Sequence, residues 1–119
     1  MDTRLKIVSP EVARSGTDKV VIGYFDPLFA DNVRRLTEIS GGNDVTVVVA
    51  DRPDALLPLR ARAELVASLF FVKQVVLCDG DVSCVIGQLG TPQIFDEREL
   101  DERRTRELSA QIVERYKPE

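Results

Sequence analysis

The stretch KVVIGYFDPLFADNVRRL, residues 19–36, decides the fold. It opens with a short apolar run that ends in turn residues, which is typical of a strand buried on both faces. Asp31 stands where a helix N-cap is expected, and apolar side chains from Val33 to Ile39 recur at helical spacing. Gly41 and Gly42 should end that helix, because glycine readily adopts the left-handed conformation of many helix C-termini.

The same alternation of strand and helix continues along the chain. Predicted strands cover residues 19–25, 45–50, 74–77 and 92–95, and predicted helices begin near Asp31, Pro58, Asp81 and Asp96. The last helix is expected to run to about Tyr116, with Glu99 and Arg103 paired four residues apart. This alternation predicts βαβ units. We therefore expect one α/β domain over residues 1–119, a Rossmann-like three-layer α/β/α fold whose doubly wound parallel sheet has four to five strands.

Composition restricts the class of protein. With 44% hydrophobic and 30% charged residues, the 119-residue chain resembles a soluble globular domain. A formal net charge of -4 argues against a nucleic-acid partner held mainly by charge. No apolar run approaches the roughly 20 residues of a membrane helix, and no apolar segment near Met1 suggests a signal peptide. With only two cysteines, we expect a cytoplasmic protein without disulfides.

The chain contains no histidine. Imidazole general-base catalysis and metal sites with histidine ligands are therefore excluded. A site is still expected where the strands end, because parallel sheets bind ligands outside their carboxyl ends. Asp26, Asp51 and Asp79 each follow a predicted strand. They could hold Mg²⁺ or a cationic ligand, or they could be ordinary turn and capping residues, in which aspartate is common.

Residues 23–36, GYFDPLFADNVRRL, resemble the signature G-x-F-D-x-x-H-x-G-H and following helix of cytidylyltransferase-like nucleotidyltransferases. The adenylyltransferase domains of ADP-heptose synthases are the relatives that the stretch suggests most. Residues 6–11 are similar to the segment before the first strand of those domains. Residues 59–69 are similar to their second helix, which carries an R-A-E triplet that begins here at Arg62. The resemblance covers about residues 5–80.

The departures from this signature concern its catalytic positions. Phe29 and Asn32 stand where the family has its two histidines, and Asp31 replaces the glycine between them. Phenylalanine donates no hydrogen bond to a phosphate, and asparagine carries no charge. Loss of one donor to transition-state charge typically costs roughly 10²–10³ in rate, so two losses suggest on the order of 10⁴. We therefore expect impaired catalysis and assign no catalytic residue and no metal site.

The resemblance implies that a nucleotide, ATP or CTP, or a sugar phosphate is the partner, with Mg²⁺ if nucleotide binding is retained. The residues that it makes candidates for nucleotide or phosphate binding are Tyr24, Phe25, Asp26, Phe29, Asn32, Arg62, Thr105 and Arg106. Four of them keep an alternative. Asp26 either binds the ligand or forms the turn. Phe29 either fills the old phosphate pocket or belongs to the core. Asn32 either contacts phosphate or helps cap the helix. Arg62 either contacts the ligand or is a solvated or salt-bridged surface residue.

Two other functions stay open. The chain could be an active enzyme in which Arg62, Asn32 and Arg106 assemble a phosphate site. It could also be a non-enzymatic interaction or regulatory subunit that forms a homodimer through its sheet edge or last helix. A response-regulator receiver is disfavoured, because Asp26 has no acidic neighbour and no lysine comes directly after the last predicted strand.

Overall fold

The computed structural model describes residues 3–14, 19–42, 44–90, 92–103 and 106. A short 3₁₀ helix, Thr3–Lys6, precedes the first α-helix. The strands are β1 Lys19–Gly23, β2 Val45–Ala50, β3 Val72–Cys78 and β4 Gln93–Asp96. The helices are α1 Pro10–Arg14, α2 Ala30–Ser40, α3 Leu59–Ala67 and α4 Val82–Gln88. Residues 98–103 are also helical and are called the C-terminal helix below.

All four strands are parallel and lie in the order β3-β2-β1-β4. The chain moves outward from β1 to β2 and β3, and α4 then returns it to the other side of β1. In register, Val21 of β1 pairs with Val47 of β2 and with Phe95 of β4. The predicted α/β class and parallel sheet are confirmed, with four strands in the described part of the chain.

Apolar side chains on both faces of the sheet hold the three layers together. Alternate residues of a strand point to opposite faces, so Val21 and Val20 belong to different cores. Val21 packs in the core that contains α2 and α3 side chains, including Leu36 and Val66. Val20 packs in the core that contains Ala13 of α1, together with Val82 of α4. The central strands are therefore buried on both faces, as their continuous apolar runs predicted.

Several elements differ from the sequence prediction, and β4 runs one residue later than predicted. β1 ends at Gly23, because Phe25 adopts a positive φ of 49° that breaks the extended conformation. β3 begins at Val72, two residues early. The five-residue helix α1 was not predicted, since it is too short to show a periodic pattern.

The proposed cap of α2 was wrong, whereas other caps are confirmed. The N-cap is Phe29, and Asp31 lies exposed in the first turn, where it pairs with Arg34. Asn32 takes over the capping role, because its Oδ1 accepts a hydrogen bond from the Phe29 N–H at 2.8 Å. Gly41, with a φ of 55°, ends the helix as predicted.

The C-terminal helix begins where the sequence predicted. Oδ1 of Asp96 accepts a hydrogen bond from the backbone N–H of Arg98 at 3.1 Å, which satisfies the first backbone donor of the helix. The predicted pair of Glu99 and Arg103 forms, with 3.8 Å between Oε1 and Nη2. The rest of the predicted helix, apart from Arg106, lies outside the described residues. None of the described helices has both the length and the apolar character that crossing a bilayer requires.

Candidate functional site

The candidate site lies where the strand order reverses, between the carboxyl ends of β1 and β4. The chain leaving β1 continues toward β2, whereas β4 lies on the opposite side of β1. Crevices at such switch points are where open parallel sheets bind ligands. Residues 24–32 leave β1 at this point, and residues 97–103 leave β4 beside them. Of the three strand ends at which the site was predicted, the end of β1 lies at this switch point.

A buried carboxylate from the C-terminal helix occupies the centre of this site. Oδ2 of Asp101 accepts hydrogen bonds from the backbone N–H groups of Tyr24 at 2.9 Å and Phe25 at 3.4 Å. Its Oδ1 lies 2.6 Å from Nδ2 of Asn32. Asp101 is only 3% exposed. We call the two backbone N–H groups and the Asn32 amide the donor cradle. Consecutive N–H groups that converge in this way form a concavity suited to an anion.

Two features of β1 and its turn give Asp101 room. Gly23 has no side chain, and a Cβ added there would lie 2.6 Å from Oδ2 of Asp101. The positive φ of Phe25 buries the phenyl ring in the core below the turn, where the side chain is 1% exposed. Few non-glycine residues adopt this conformation, and such strained positions are concentrated at functional sites.

Arg62, the arginine of the R-A-E triplet, is fully buried beneath the strand ends, with 0% exposure. Its Nη1 donates to the carbonyl oxygens of Tyr24 at 3.0 Å and Ala50 at 2.9 Å. Nε donates to Leu57 O at 3.0 Å, and Nη2 lies 2.6 Å from Oδ1 of Asp51. The alternative that placed Arg62 at the protein surface is therefore wrong, because the side chain is buried. The salt bridge that this alternative expected is present, with Asp51 as the partner. The guanidinium joins the ends of β1 and β2 to the loop before α3.

The Asp26 carboxylate also binds backbone rather than facing the crevice. Oδ2 accepts from the N–H of Leu56 at 2.7 Å, and Oδ1 accepts from the N–H of Leu57 at 2.9 Å. Asp51 is engaged by Arg62, and Asp79 is exposed. Within the described ranges, no group of three histidine, cysteine or acidic side chains is placed to hold a metal ion. The three aspartates at the strand ends therefore do not form a common cation site.

An open cavity of ≈ 440 Å³ adjoins the donor cradle. Its described lining consists of Tyr24, Asp96, Arg98, Glu99 and Glu102. Arg98 is bound to Asp96 through contacts of 2.9 Å and 2.7 Å, so its charge is largely neutralised. These hydrogen bonds lower the pKa of the Asp96 carboxyl, although partial burial opposes the shift. The remaining acidic side chains make this wall unfavourable for a triphosphate unless a cation accompanies it.

Glu97 attaches the start of the C-terminal helix to the body of the domain. Its backbone N–H donates to Ile22 O at 2.7 Å, and its buried carboxylate is hydrogen-bonded to Nε of Arg35 on α2. This hydrogen bond is the main reason that the pKa of Arg35 is raised. The Glu97 carbonyl in turn accepts from the Asp101 N–H at 3.0 Å. The Asp101 carboxylate is thus held in the cradle by a helix tied to both β1 and α2.

The structure brings together some of the predicted site residues. Tyr24, Phe25 and Asn32 meet around Asp101, while half-buried Phe29 is the N-cap of α2. Of the two phenylalanines in this segment, Phe25 belongs to the buried core and Phe29 is only half-buried. Arg106 is exposed, and Thr105 lies outside the described residues.

Sequence reasoning did not identify Asp101 or Glu97. Both lie in a charge-rich stretch that is typical of a solvated helix face. Their spacing of four residues was the only signal that they share one face of the helix. Comparison of the chain with protein-family models and with curated proteins found no match.

Proposed function

We propose that the chain is a nucleotidyltransferase-like domain that has lost efficient transfer chemistry and retains a binding site for a phosphate group of a nucleotide or sugar phosphate. The observation that carries this proposal is the donor cradle, in which Tyr24, Phe25 and Asn32 direct three N–H donors at one anionic group. It lies at the switch point of the sheet and in the stretch that resembles the nucleotidyltransferase signature. Fold and motif therefore favour the same place.

The chemistry of the described residues favours binding over catalysis. The cradle donors are neutral amides, and Phe29 supplies no polar group in place of a histidine. The charge of Arg62 is used within the fold, where it binds three carbonyl oxygens and Asp51. It is therefore unsuited to stabilising charge on a transferring phosphoryl group, and the alternative of an active enzyme built on Arg62 is disfavoured.

Isothermal titration with ATP and with CTP, each with Mg²⁺, tests the proposal. We expect binding in the high micromolar to millimolar range, and weaker binding by Asn32→Ala. Asp44→Ala is the control, because Asp44 is exposed and precedes β2 at the amino end of the strands, away from the cradle. An assay of pyrophosphate release should detect no turnover with either nucleotide. Absence of heat and of a melting shift at millimolar nucleotide would refute the nucleotide part.

A non-enzymatic subunit is the second candidate, and the edge of the sheet favours it. Within the described strands, β4 pairs only with β1. Ile94 of β4 is 42% exposed, which leaves an apolar side chain beside unpaired backbone groups. Light scattering over a range of protein concentrations distinguishes this candidate, because a stable dimer would double the apparent mass.

A further inference from the structure

We propose that the Asp101 carboxylate is a built-in competitor for the donor cradle, so that a phosphate group binds there only when the C-terminal helix withdraws. This inference deepens the proposed function and rests on it. The ligand class is a phosphate monoester or inorganic phosphate, and the regulation is intramolecular.

The first argument is chemical. A carboxylate and a phosphate both present oxygen acceptors bearing negative charge, and both form short charge-assisted hydrogen bonds with N–H groups. Asp101 satisfies the donors of Tyr24, Phe25 and Asn32 at 2.9 Å, 3.4 Å and 2.6 Å. A phosphate and this carboxylate would therefore need the same donors in the same small volume. They cannot bind simultaneously.

The donor cradle and the carboxylate that occupies it come from separate parts of the chain. The cradle belongs to one continuous segment, residues 23–32, that joins the buried strand β1 to the first turn of α2. Asp101 lies about seventy residues later in the sequence, on the helix that follows the edge strand β4. The described ties that hold this helix near the cradle include the Glu97–Arg35 ion pair and the Glu97 N–H bond to Ile22. Withdrawal would leave the cradle intact while removing its occupant.

The cost of this competition can be estimated. If the helix is withdrawn about 1–10% of the time, the apparent affinity of the cradle for phosphate falls by about 10- to 100-fold. Asp101→Ala should raise the apparent affinity for phosphate by that factor. Arg35→Ala, which leaves Asp101 in place and loosens its attachment, should restore a smaller part of it.

The decisive experiment compares phosphate binding by wild type, Asp101→Ala, Arg35→Ala and the control Asp44→Ala at fixed ionic strength. Asp44→Ala removes the same charge at an exposed position before β2. We expect inorganic phosphate to bind Asp101→Ala at least about tenfold more tightly than wild type or the control. Adding Asn32→Leu to Asp101→Ala should abolish the gain. A folded Asp101→Ala variant that binds phosphate no more tightly than the control overturns the proposal.

Hydrogen exchange on the wild-type chain covers the case in which Asp101→Ala fails to fold. Saturating phosphate should raise amide exchange in residues 98–103 while Tyr24 and Phe25 stay protected. Unchanged exchange in the C-terminal helix overturns the proposal.

Further arms with ATP and with glucose 1-phosphate separate this inference from the proposed function. If Asp101→Ala binds inorganic phosphate but neither organic ligand, competition by Asp101 is supported and the proposed nucleotide or sugar-phosphate ligand is refuted. If ATP binds wild type and Asp101→Ala equally, competition by Asp101 is refuted and nucleotide binding is supported.

Discussion

The side-chain nitrogen of Asn32 lies 2.6 Å from Oδ1 of Asp101, although 69 residues separate the two in sequence. The oxygen of the same amide accepts the Phe29 N–H at 2.8 Å. One asparagine therefore closes the first turn of α2 and joins that turn to the C-terminal helix. This double use explains why the polar side chain of Asn32 is buried rather than solvated.

The contact between Asn32 and Asp101 should make their contributions to stability interdependent. In a double-mutant cycle of Asn32→Ala and Asp101→Ala, we expect a coupling energy of about 1–3 kcal/mol, because the hydrogen bond involves a buried carboxylate. Urea denaturation of the four proteins measures it. The same cycle with Asp44→Ala should be additive within about 0.5 kcal/mol. Additivity in the Asn32 and Asp101 cycle would contradict the geometry.

Replacing Arg62 should destabilise the domain strongly. Arg62→Met removes the hydrogen bonds that the guanidinium donates to the carbonyl oxygens of Tyr24, Ala50 and Leu57. We expect a loss of at least about 3 kcal/mol in the free energy of unfolding, because each buried acceptor left without a donor costs roughly 1–3 kcal/mol. Lysine should recover only part of it, because an ammonium cannot reproduce the planar fork of a guanidinium. Urea midpoints measure both changes.

Arg60→Met serves as the control for Arg62, since the Arg60 side chain is 55% exposed on the same helix. It should shift the free energy of unfolding by no more than about 0.5 kcal/mol. Equal effects of the two substitutions would show that Arg62 does not hold the strand ends together.

Two glycine-to-alanine substitutions should act in opposite directions. At Gly23, the added Cβ would meet Oδ2 of Asp101 at 2.6 Å and the Phe25 ring at 2.7 Å, so we expect a loss of about 1–3 kcal/mol. At Gly87, inside α4, a Cβ meets nothing within 4 Å. Alanine there should stabilise the helix by about 0.5–1 kcal/mol. Melting temperatures measured side by side would reveal a wrong placement of Asp101 if Gly23→Ala proved harmless.

The pair of Asp96 and Arg98 should give a small dependence of stability on acid. Because the pKa of Asp96 is lower in the folded protein, its contribution is present above the unfolded pKa, about 3.9. It is lost as the pH falls through the lower folded value. The Asp96 side chain is 44% exposed, so solvent screening keeps the contribution below about 1 kcal/mol.

Asp96→Asn isolates this charge effect, because the asparagine side-chain oxygen can accept the same hydrogen bond from the Arg98 N–H. The difference in unfolding free energy between wild type and Asp96→Asn should be largest near neutral pH and should shrink below about pH 4. Asp44→Asn supplies the exposed comparison. A difference that grows on acidification would have the wrong sign.

Most of the fold could be predicted because it depends on local patterns. The apolar runs of β1 and β2, the Gly41 terminus and the Asp81 cap each arise from a few neighbouring residues. Strand order could not be predicted in the same way. Whether β4 returns beside β1 depends on packing among distant elements, which no local pattern encodes.

The candidate site was predictable in position but not in content. The carboxyl end of β1 follows from the parallel topology alone. That Asp101 reaches the Tyr24 and Phe25 N–H groups depends on a tertiary contact between residues far apart in the sequence. In the sequence, Asp101 is one of 20 acidic residues and carries no sign of burial.

The buried position of Arg62 limits what an R-A-E triplet can indicate about activity. In this domain the arginine binds carbonyl oxygens at the ends of two strands and in the loop before α3, so it serves folding whether or not a substrate is turned over. Finding the triplet in a sequence is therefore not by itself evidence for an enzyme.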